Sequence, residues 1–266
     1  TLVKHGAGAP LASYALAENV RRERLALSLQ DYRDEIGKLF APFTRVAAFN
    51  PHAEAPVARS ALELATLDER DRLIAEPYGR LVVARDQVNQ GAAIVIASMA
   101  EARRLGVPED RWVHIHAVAD CAEPPLLSRE SLEHSPAAVQ AISTALEVSG
   151  QGWQNINATD LYSCFAIPIF NLLDAFNLQR DDPRGWTLTG GLPFFGGAGN
   201  NYSAHGIAEA AARCRTEPGS FALVGANGGI MSKYAAAVYS TTPADWRTSR
   251  WISLPKIKPA FRVLDV

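Results

Sequence analysis

Residues 156–176 decide the class of fold, and they read Ile156-Asn-Ala-Thr-Asp-Leu-Tyr-Ser-Cys-Phe-Ala-Ile-Pro-Ile-Phe-Asn-Leu-Leu-Asp-Ala-Phe176. The stretch from Ile156 to Tyr162 predicts a strand, and the stretch from Ile167 to Phe176 predicts an apolar helix. Small polar residues lie between the two. A strand that leads through such a loop into a helix is typical of layered α/β domains.

The same alternation of strand and helix continues on both sides of this stretch. Further strands are predicted at Trp112 to Ala119, Phe221 to Val224 and Ala235 to Tyr239. Helices are predicted from Ser135-Pro136 to about Val148 and from Ala204 to Cys214. The pattern predicts an α/β layered domain whose sheet is buried on both faces.

The N-terminal region has a different character, because residues 1–79 are helical and rich in loops. Helices are predicted from Leu11 to Leu29 and from Tyr32 to Phe49, the second preceded by a capping motif at Ser28 and stopped at Asn50. The charged run Asp68-Glu-Arg-Asp-Arg72 predicts a solvated helix face. Further on, residues 92–97 form a short apolar run, and residues 99–105 predict another helix.

Composition excludes several functional classes. The chain has 266 residues and a formal net charge of -2, which argues against a basic surface for nucleic acid or membranes. It has no signal peptide and no apolar run of about 18 residues, the length that spans a membrane. Its three widely spaced cysteines form neither a disulfide framework nor a zinc pattern, so a reducing, cytoplasmic location is expected.

The first loop that can carry chemistry is Asp160-Leu-Tyr-Ser-Cys-Phe165. Cys164 is a candidate nucleophile or acid/base if the following helix stabilises its thiolate. Tyr162 is a candidate donor to a developing oxyanion. The alternative, a buried structural cysteine beside a core tyrosine, stays open.

Two glycine-rich loops follow. Thr189-Gly-Gly-Leu-Pro-Phe-Phe-Gly-Gly-Ala-Gly-Asn-Asn-Tyr202 precedes a helix that contains His205, a candidate base. Gly225-Ala-Asn-Gly-Gly229 lies between two strands, where it also has the form of a simple turn. A metal site is not expected, because His114 and His116 share a strand face without further ligands at suggestive spacing.

The order and spacing of the three loops resemble the C-terminal half of the thiolases. Tyr162-Ser-Cys-Phe165 corresponds to Asn-Glu-Ala-Phe in biosynthetic thiolases and to His-Asp-Cys-Phe in the sterol-carrier type. Residues 89–93, Asn-Gln-Gly-Ala-Ala, resemble Asn-Asp-Gly-Ala-Ala, which opens the last strand of the N-terminal half. The likeness is densest to bacterial thiolase-like proteins called acetyl-CoA acetyltransferases. It includes Gly199-Asn-Asn-Tyr202 and Val238-Tyr-Ser-Thr241.

The resemblance implies a fold and an organisation of the chain. A mixed five-stranded sheet between helices is expected for the C-terminal half. Residues 1–79 would be the helical and loop insertion of the N-terminal half, and residues 80–110 its last strand and helix. Residues 111–243 would form the C-terminal domain, and residues 244–266 a tail. The thiolase fold pairs large faces, so a homodimer or larger assembly is also expected.

Three departures from the thiolase pattern bear on the chemistry. The chain opens after the region that would carry the nucleophilic cysteine. Gly197 lies where thiolases have the histidine of Gly-His-Pro, and Gly225 lies where they have the acid/base cysteine. Ordinary Claisen condensation by these residues alone therefore lacks both an acyl acceptor and a proton carrier.

The resemblance implies that coenzyme A thioesters are the substrate class, with no covalently bound cofactor. One hypothesis is an atypical acyltransferase in which Cys164, His205 and Tyr162 react. Its acyl-CoA pocket would be lined by Gly197, Asn200, Asn201, Asn227, Gly228 and Gly229. A second is a retro-aldol lyase that works with a small OB-fold partner and uses Tyr162, Tyr202 or Tyr234. A third is a non-catalytic acyl-CoA-binding subunit.

Overall fold

Two long helices form the start of the fold. The computed structural model describes the chain at residue 4, residue 6, residues 8–247 and residues 250–260. Helix α1 spans Pro10–Arg24 and helix α2 spans Leu29–Phe49. Ser28 caps α2, because its Oγ accepts the Asp31 amide at 3.1 Å. The predicted capping motif and the predicted end of α2 are both confirmed.

The charged run after these helices is not the solvated helix face that the sequence predicted. Residues 68–71 form a bend that follows the short helix α3, Ala61–Ala65. The Asp68 carboxylate accepts the amides of Arg70 and Asp71 at 2.7 and 2.8 Å. Such local bonds compete with helix formation. Two short strands follow, β1 at Leu73–Ala75 and β2 at Tyr78–Gly79.

The apolar run at residues 92–97 does not form the strand expected at the end of the N-terminal half. It is irregular, and Val95 and Ile96 are 92% and 75% exposed. A strand needs a neighbouring strand to bond its amides and carbonyls. Among the described residues, no strand pairs with this run. Helix α4, Met99–Arg104, follows where a helix was predicted.

A mixed five-stranded sheet forms the centre of the fold, as expected. Its strands are β3 His114–Ala122, β4 Ile156–Asp160, β5 Phe221–Gly228, β6 Lys233–Ser240 and β7 Trp251–Ser253. Their order in the sheet is β4-β5-β6-β3-β7. The pairs β4·β5 and β3·β7 are parallel, whereas β5·β6 and β3·β6 are antiparallel.

Part of the predicted C-terminal tail, residues 244–266, is ordered as a strand of the sheet. Strand β7 adds to the edge of β3, with Val118 opposite Trp251. An edge strand offers a free row of amides and carbonyls, which a passing segment can bond. Residues 248–249 and 261–266 of this predicted tail lie outside the described residues.

Helices cover both faces of the sheet, which confirms the predicted layers. Helix α5, Pro136–Ser149, packs on β3 and β6, and helix α7, Tyr202–Thr216, packs on β4 and β5. Helix α6, Ile167–Phe176, lies in the larger core with α1 and α2. A smaller core lies under α7. Among the described residues, no helix is long and apolar enough to cross a membrane.

A buried carboxylate ties the helical region to the start of α6. Glu18 on α1 is fully buried and accepts the Ile167 amide at 2.7 Å. It also accepts the Tyr78 hydroxyl at 2.8 Å and the Tyr32 hydroxyl. Burial raises the pKa of Glu18 to about 7, although Arg21 and these three donors oppose that rise.

This raised pKa predicts a pH-dependent stability. Folded Glu18 stays protonated between pH 4.5 and about 7, whereas the unfolded side chain ionises. Its contribution is therefore complete below about pH 4.5 and is lost as the pH rises through 7, by up to roughly 3 kcal/mol. Chemical denaturation between pH 4.5 and 8 gives the free energy of unfolding at each pH, and we expect it to fall less steeply with pH in Glu18→Gln than in wild type. An equal pH dependence in the two proteins would contradict the raised pKa of Glu18.

Candidate active site

The three loops that the sequence singled out meet at the carboxyl end of β4. Ser163 Oγ, in the first loop, accepts the Leu192 amide of the second loop at 3.3 Å. Most of the predicted third loop is strand instead, since residues 225–228 belong to β5, and the preceding Val224 pairs with Asp160 at the end of β4. Ligand sites of α/β folds lie at the carboxyl ends of strands, so this is the candidate site.

Asp160 closes β4 and organises the second loop. It is completely buried, and its Oδ2 accepts the Leu188 and Thr189 amides at 2.8 and 3.0 Å. The hydroxyls of Thr187 and Thr189 donate to the same oxygen at 3.1 and 3.0 Å. Burial raises the pKa of Asp160, and these donors oppose the rise. Its Oδ1 has no partner among the described residues.

The glycines of the second loop allow a close approach of the backbone. Gly190 has φ +112°, and a Cβ there would lie 2.6 Å from the Ala47 Cβ on α2. Gly191 has φ +80°, and a Cβ there would lie 2.7 Å from Ser163 Oγ. The glycine pair therefore allows α2 and the first loop to pack closely against the second loop, in addition to any approach of a ligand.

Cys164 and Tyr162 both lie in the site, and both are protonated near neutral pH. Cys164 is 8% exposed, and burial raises the pKa of its thiol to about 12. Backbone hydrogen bonds lower this pKa but do not outweigh burial. Burial also raises the pKa of Tyr162 to about 12. Tyr162 packs edge-on against Tyr202, with ring centroids 5.4 Å apart. Both side chains can donate a hydrogen bond but are weak bases.

Tyr234 lies where a side chain from position 225 would lie. An ideal Cβ on Gly225 would be only 2.1 Å from the Tyr234 hydroxyl oxygen. Tyr234 is 4% exposed, and its hydroxyl is buried without a partner among the described residues. It is the cross-strand neighbour of Asn227, so the two side chains share a face of the sheet. Burial, then the nearby Asp160, raises the pKa of Tyr234, so the phenol is neutral.

His205 lies on α7 at the rim of this cluster. Burial, followed by the nearby His52, lowers its pKa, so the imidazole is neutral near pH 7. Its Nε2 is buried and has no partner in the described chain. The ring packs edge-on against Phe195, with centroids 5.1 Å apart. A neutral imidazole with a free nitrogen is suited to accept a proton.

Of the remaining predicted binding residues, Gly197 is buried, whereas Asn200, Asn201, Gly228 and Gly229 lie closer to the surface. Asn200 is exposed, and Asn201 donates to the Ala92 carbonyl at 3.4 Å. The Gly197 amide donates to the Arg85 carbonyl at 2.8 Å. Gly228 is the last residue of β5, and Gly229, with φ +62°, begins the turn to β6. Their role in substrate binding stays a prediction.

No metal-ligating cluster occurs in the part of the chain that the structure describes. Of the two histidines on β3, His116 bonds the Thr242 carbonyl through Nε2 at 2.8 Å. Burial lowers the pKa of both His114 and His116.

A side chain of the site that the sequence did not predict is Tyr14 on α1, whose hydroxyl oxygen accepts the Asn227 side-chain amide. No local signal identifies it, because it lies far from the three loops in sequence.

A layered α/β fold with three loops meeting at a strand end defines the class of protein. The chain belongs to the thiolase superfamily. It shares 55% identity with a solved structure described as a monomeric SCP2-thiolase like protein type 1 from Mycobacterium smegmatis, with a TM-score of 0.89. The match covers 93% of this chain and 55% of that one, so the chain spans about half the length of that relative.

A second solved structure shows the same fold at lower identity. It is described as an Ltp2-ChsH2(DUF35) aldolase, and it matches with 18% identity and a TM-score of 0.69. That match covers 90% of this chain and 65% of the other. Neither a family model nor a curated protein matches the chain.

Proposed function

We propose that this protein binds 3-hydroxyacyl-CoA thioesters and cleaves the bond between their α- and β-carbons by a retro-aldol reaction. The observation that carries the proposal is the Tyr234 hydroxyl, buried without a partner in the space that a residue-225 side chain would fill. In thiolases that position holds the acid/base cysteine. A neutral phenol can transfer a proton at the same point in space.

Retro-aldol chemistry needs no acyl capture, which suits a site whose thiol is protonated. The β-hydroxyl of the substrate loses its proton to a base, and His205 has a free, neutral imidazole nitrogen for it. The electrons of the breaking bond move to the thioester carbonyl, and an aldehyde or ketone leaves. Tyr162 donates a hydrogen bond to the enolate oxygen. Tyr234 then delivers one proton to the α-carbon. His205 returns its proton to solvent and Tyr234 regains one from solvent, so the enzyme is restored and one proton is taken up for each one released.

The likeness to a protein described as an aldolase with a DUF35 component supports this proposal. By the same likeness, a small partner of the OB-fold type is proposed for this chain. The predicted homodimer remains a prediction, and the similarity to a protein described as monomeric weakens it. A cytoplasmic location also remains a prediction.

Acyl transfer is the second candidate, because the 55% identical relative is described as SCP2-thiolase like. That reaction requires an ionised nucleophile to accept the acyl group. Cys164 does not meet this requirement, since its thiol is buried and its pKa is raised to about 12. Acyl transfer by this protein would therefore depend on a nucleophile other than Cys164.

The products distinguish the two reactions. The full-length protein, with and without a DUF35-type partner, is incubated with a 3-hydroxyacyl-CoA and, separately, with a 3-oxoacyl-CoA plus free CoA. We expect an aldehyde or ketone and a shortened acyl-CoA in equal amounts from the first substrate, without free CoA. Thiolysis of the second substrate, with no cleavage of the first, would overturn the proposal.

A further inference from the structure

The backbone of residues 84 and 85 joins the first and second loops of the candidate site. The Ala84 amide donates to the Cys164 carbonyl of the first loop at 3.0 Å. The Arg85 amide donates to the Leu192 carbonyl of the second loop at 3.1 Å, and the Arg85 carbonyl accepts the Gly197 amide at 2.8 Å. Arg85 therefore lies directly beside the glycine that is predicted to line the acyl-CoA pocket.

The Arg85 side chain is held against the second loop and still has free donors. Its Nε donates to the Pro193 carbonyl at 2.8 Å. No acceptor in the described chain bonds its two terminal nitrogens, and the residue is half-buried, so it is not enclosed. A guanidinium presents its N–H donors in a rigid, planar fork. The donors on the terminal nitrogens are therefore open to a ligand.

Arginines of similar burial elsewhere in the chain pair with a carboxylate. These pairs are Arg33 with Glu76, Arg180 with Glu35, and Arg184 with Asp182. Arg85 forms no such ion pair with any described residue. Burial and the nearby Arg80 lower its pKa, and Glu54 opposes them. A guanidinium keeps its charge near neutral pH, so Arg85 is a half-buried cation without an anion.

We propose that Arg85 binds a phosphate group of coenzyme A at the edge of the second loop. The inference rests on the proposed function, because coenzyme A is the anionic part of the proposed substrate. The guanidinium fork can bond two phosphate oxygens at once. The Pro193 carbonyl holds that fork in place beforehand, so less side-chain freedom is lost on binding. The pantetheine arm separates the phosphates from the thioester, so Arg85 acts in binding and not on the reacting atoms.

Calorimetric titration with coenzyme A tests this contact without any turnover, in full-length wild type and in Arg85→Gln. We expect Kd to rise about tenfold or more, the usual effect of losing hydrogen bonds to a charged group. Pantetheine, which has no phosphate, should bind both proteins equally. Added salt should weaken the binding of coenzyme A more in wild type than in Arg85→Gln. Dephospho-coenzyme A identifies the group, because the loss persists if Arg85 binds the pyrophosphate and disappears if it binds the 3′-phosphate.

Arg184→Gln is the matched control for loss of a half-buried arginine. Arg184 bonds the Ile156 carbonyl at 3.2 Å, at the amino end of β4 and so at the opposite end of that strand from the site. Its replacement should leave Kd for coenzyme A unchanged. Should Arg85→Gln fail to fold, Arg85→Lys keeps the charge without the fork and should weaken the binding of coenzyme A severalfold.

Three results would overturn the proposal. Equal Kd values for coenzyme A in wild type and Arg85→Gln, or Arg85→Lys in its place, would do so and leave the proposed function standing. An equal rise in Kd for coenzyme A and pantetheine would show a distorted loop and no phosphate contact. Failure of wild type to bind coenzyme A would overturn the substrate class of the proposed function together with this inference.

Discussion

Replacing Asp160 with alanine is expected to lower the free energy of unfolding by roughly 4–6 kcal/mol. The carboxylate is completely buried and holds the amides of Leu188 and Thr189 at 2.8 and 3.0 Å. Without it, two backbone amides and two hydroxyls lose their acceptor in a place that water does not reach. Each unpaired buried amide costs about 1–3 kcal/mol.

Chemical denaturation of Asp160→Ala and Asp181→Ala measures this effect. Asp181 is exposed and lies in the turn before the second loop, so its replacement should change the stability little. Asp160→Asn should be less destabilised than Asp160→Ala, because its amide oxygen can accept the donors that Oδ2 accepts while its nitrogen takes the place of the unpartnered Oδ1. Equal stability of Asp160→Ala and wild type would show that Asp160 does not organise the second loop.

Local patterns predicted most helices and strands correctly. Helix α6 has the predicted bounds, and the end of α5 at Gly150 follows from a left-handed residue with φ +71°. Strand β7 escaped prediction because three residues carry too little periodicity to be recognised. The strand predicted at residues 92–97 was wrong for the opposite reason. Its apolar pattern is clear, but a strand forms only beside a partner strand, which a local pattern does not reveal.

Some features of the candidate site could be predicted from local sequence and others could not. The order of the three loops could be predicted, because glycines and small polar residues mark them. The protonation of Cys164 could not, since burial by residues distant in sequence raises its pKa to about 12. The contribution of Tyr14 was also hidden, because 213 residues separate it from Asn227. The sequence offers Tyr162, Tyr202 and Tyr234 as candidate acid/base groups, and the packing against Gly225 distinguishes Tyr234 from the other two.

Tyr234→Phe is expected to lower retro-aldol turnover by about 10²–10⁴-fold, the usual contribution of a positioned proton-transfer group. The variant removes one oxygen atom and keeps the ring. The hydroxyl has no partner in the described chain, so its loss leaves no buried group unpaired. Stability should therefore be unchanged or slightly higher, which separates a chemical effect from a folding effect.

Tyr239→Phe on the same strand is the matched control. Tyr239 is buried to a similar extent, at 8% exposure against 4% for Tyr234, but belongs to the smaller core under α7. Five positions separate the two residues on β6, so their side chains point to opposite faces of the sheet. Removal of its hydroxyl should leave turnover within about twofold of wild type, since it lies outside the site.

The most direct test of proton transfer by Tyr234 is kcat of Tyr234→Phe on a 3-hydroxyacyl-CoA, compared with wild type and Tyr239→Phe. We expect kcat to fall about 100-fold or more for Tyr234→Phe alone, with the free energy of unfolding unchanged. Equal kcat values for the three proteins would contradict it. That result would show that the phenol beside Gly225 fills space and transfers no proton.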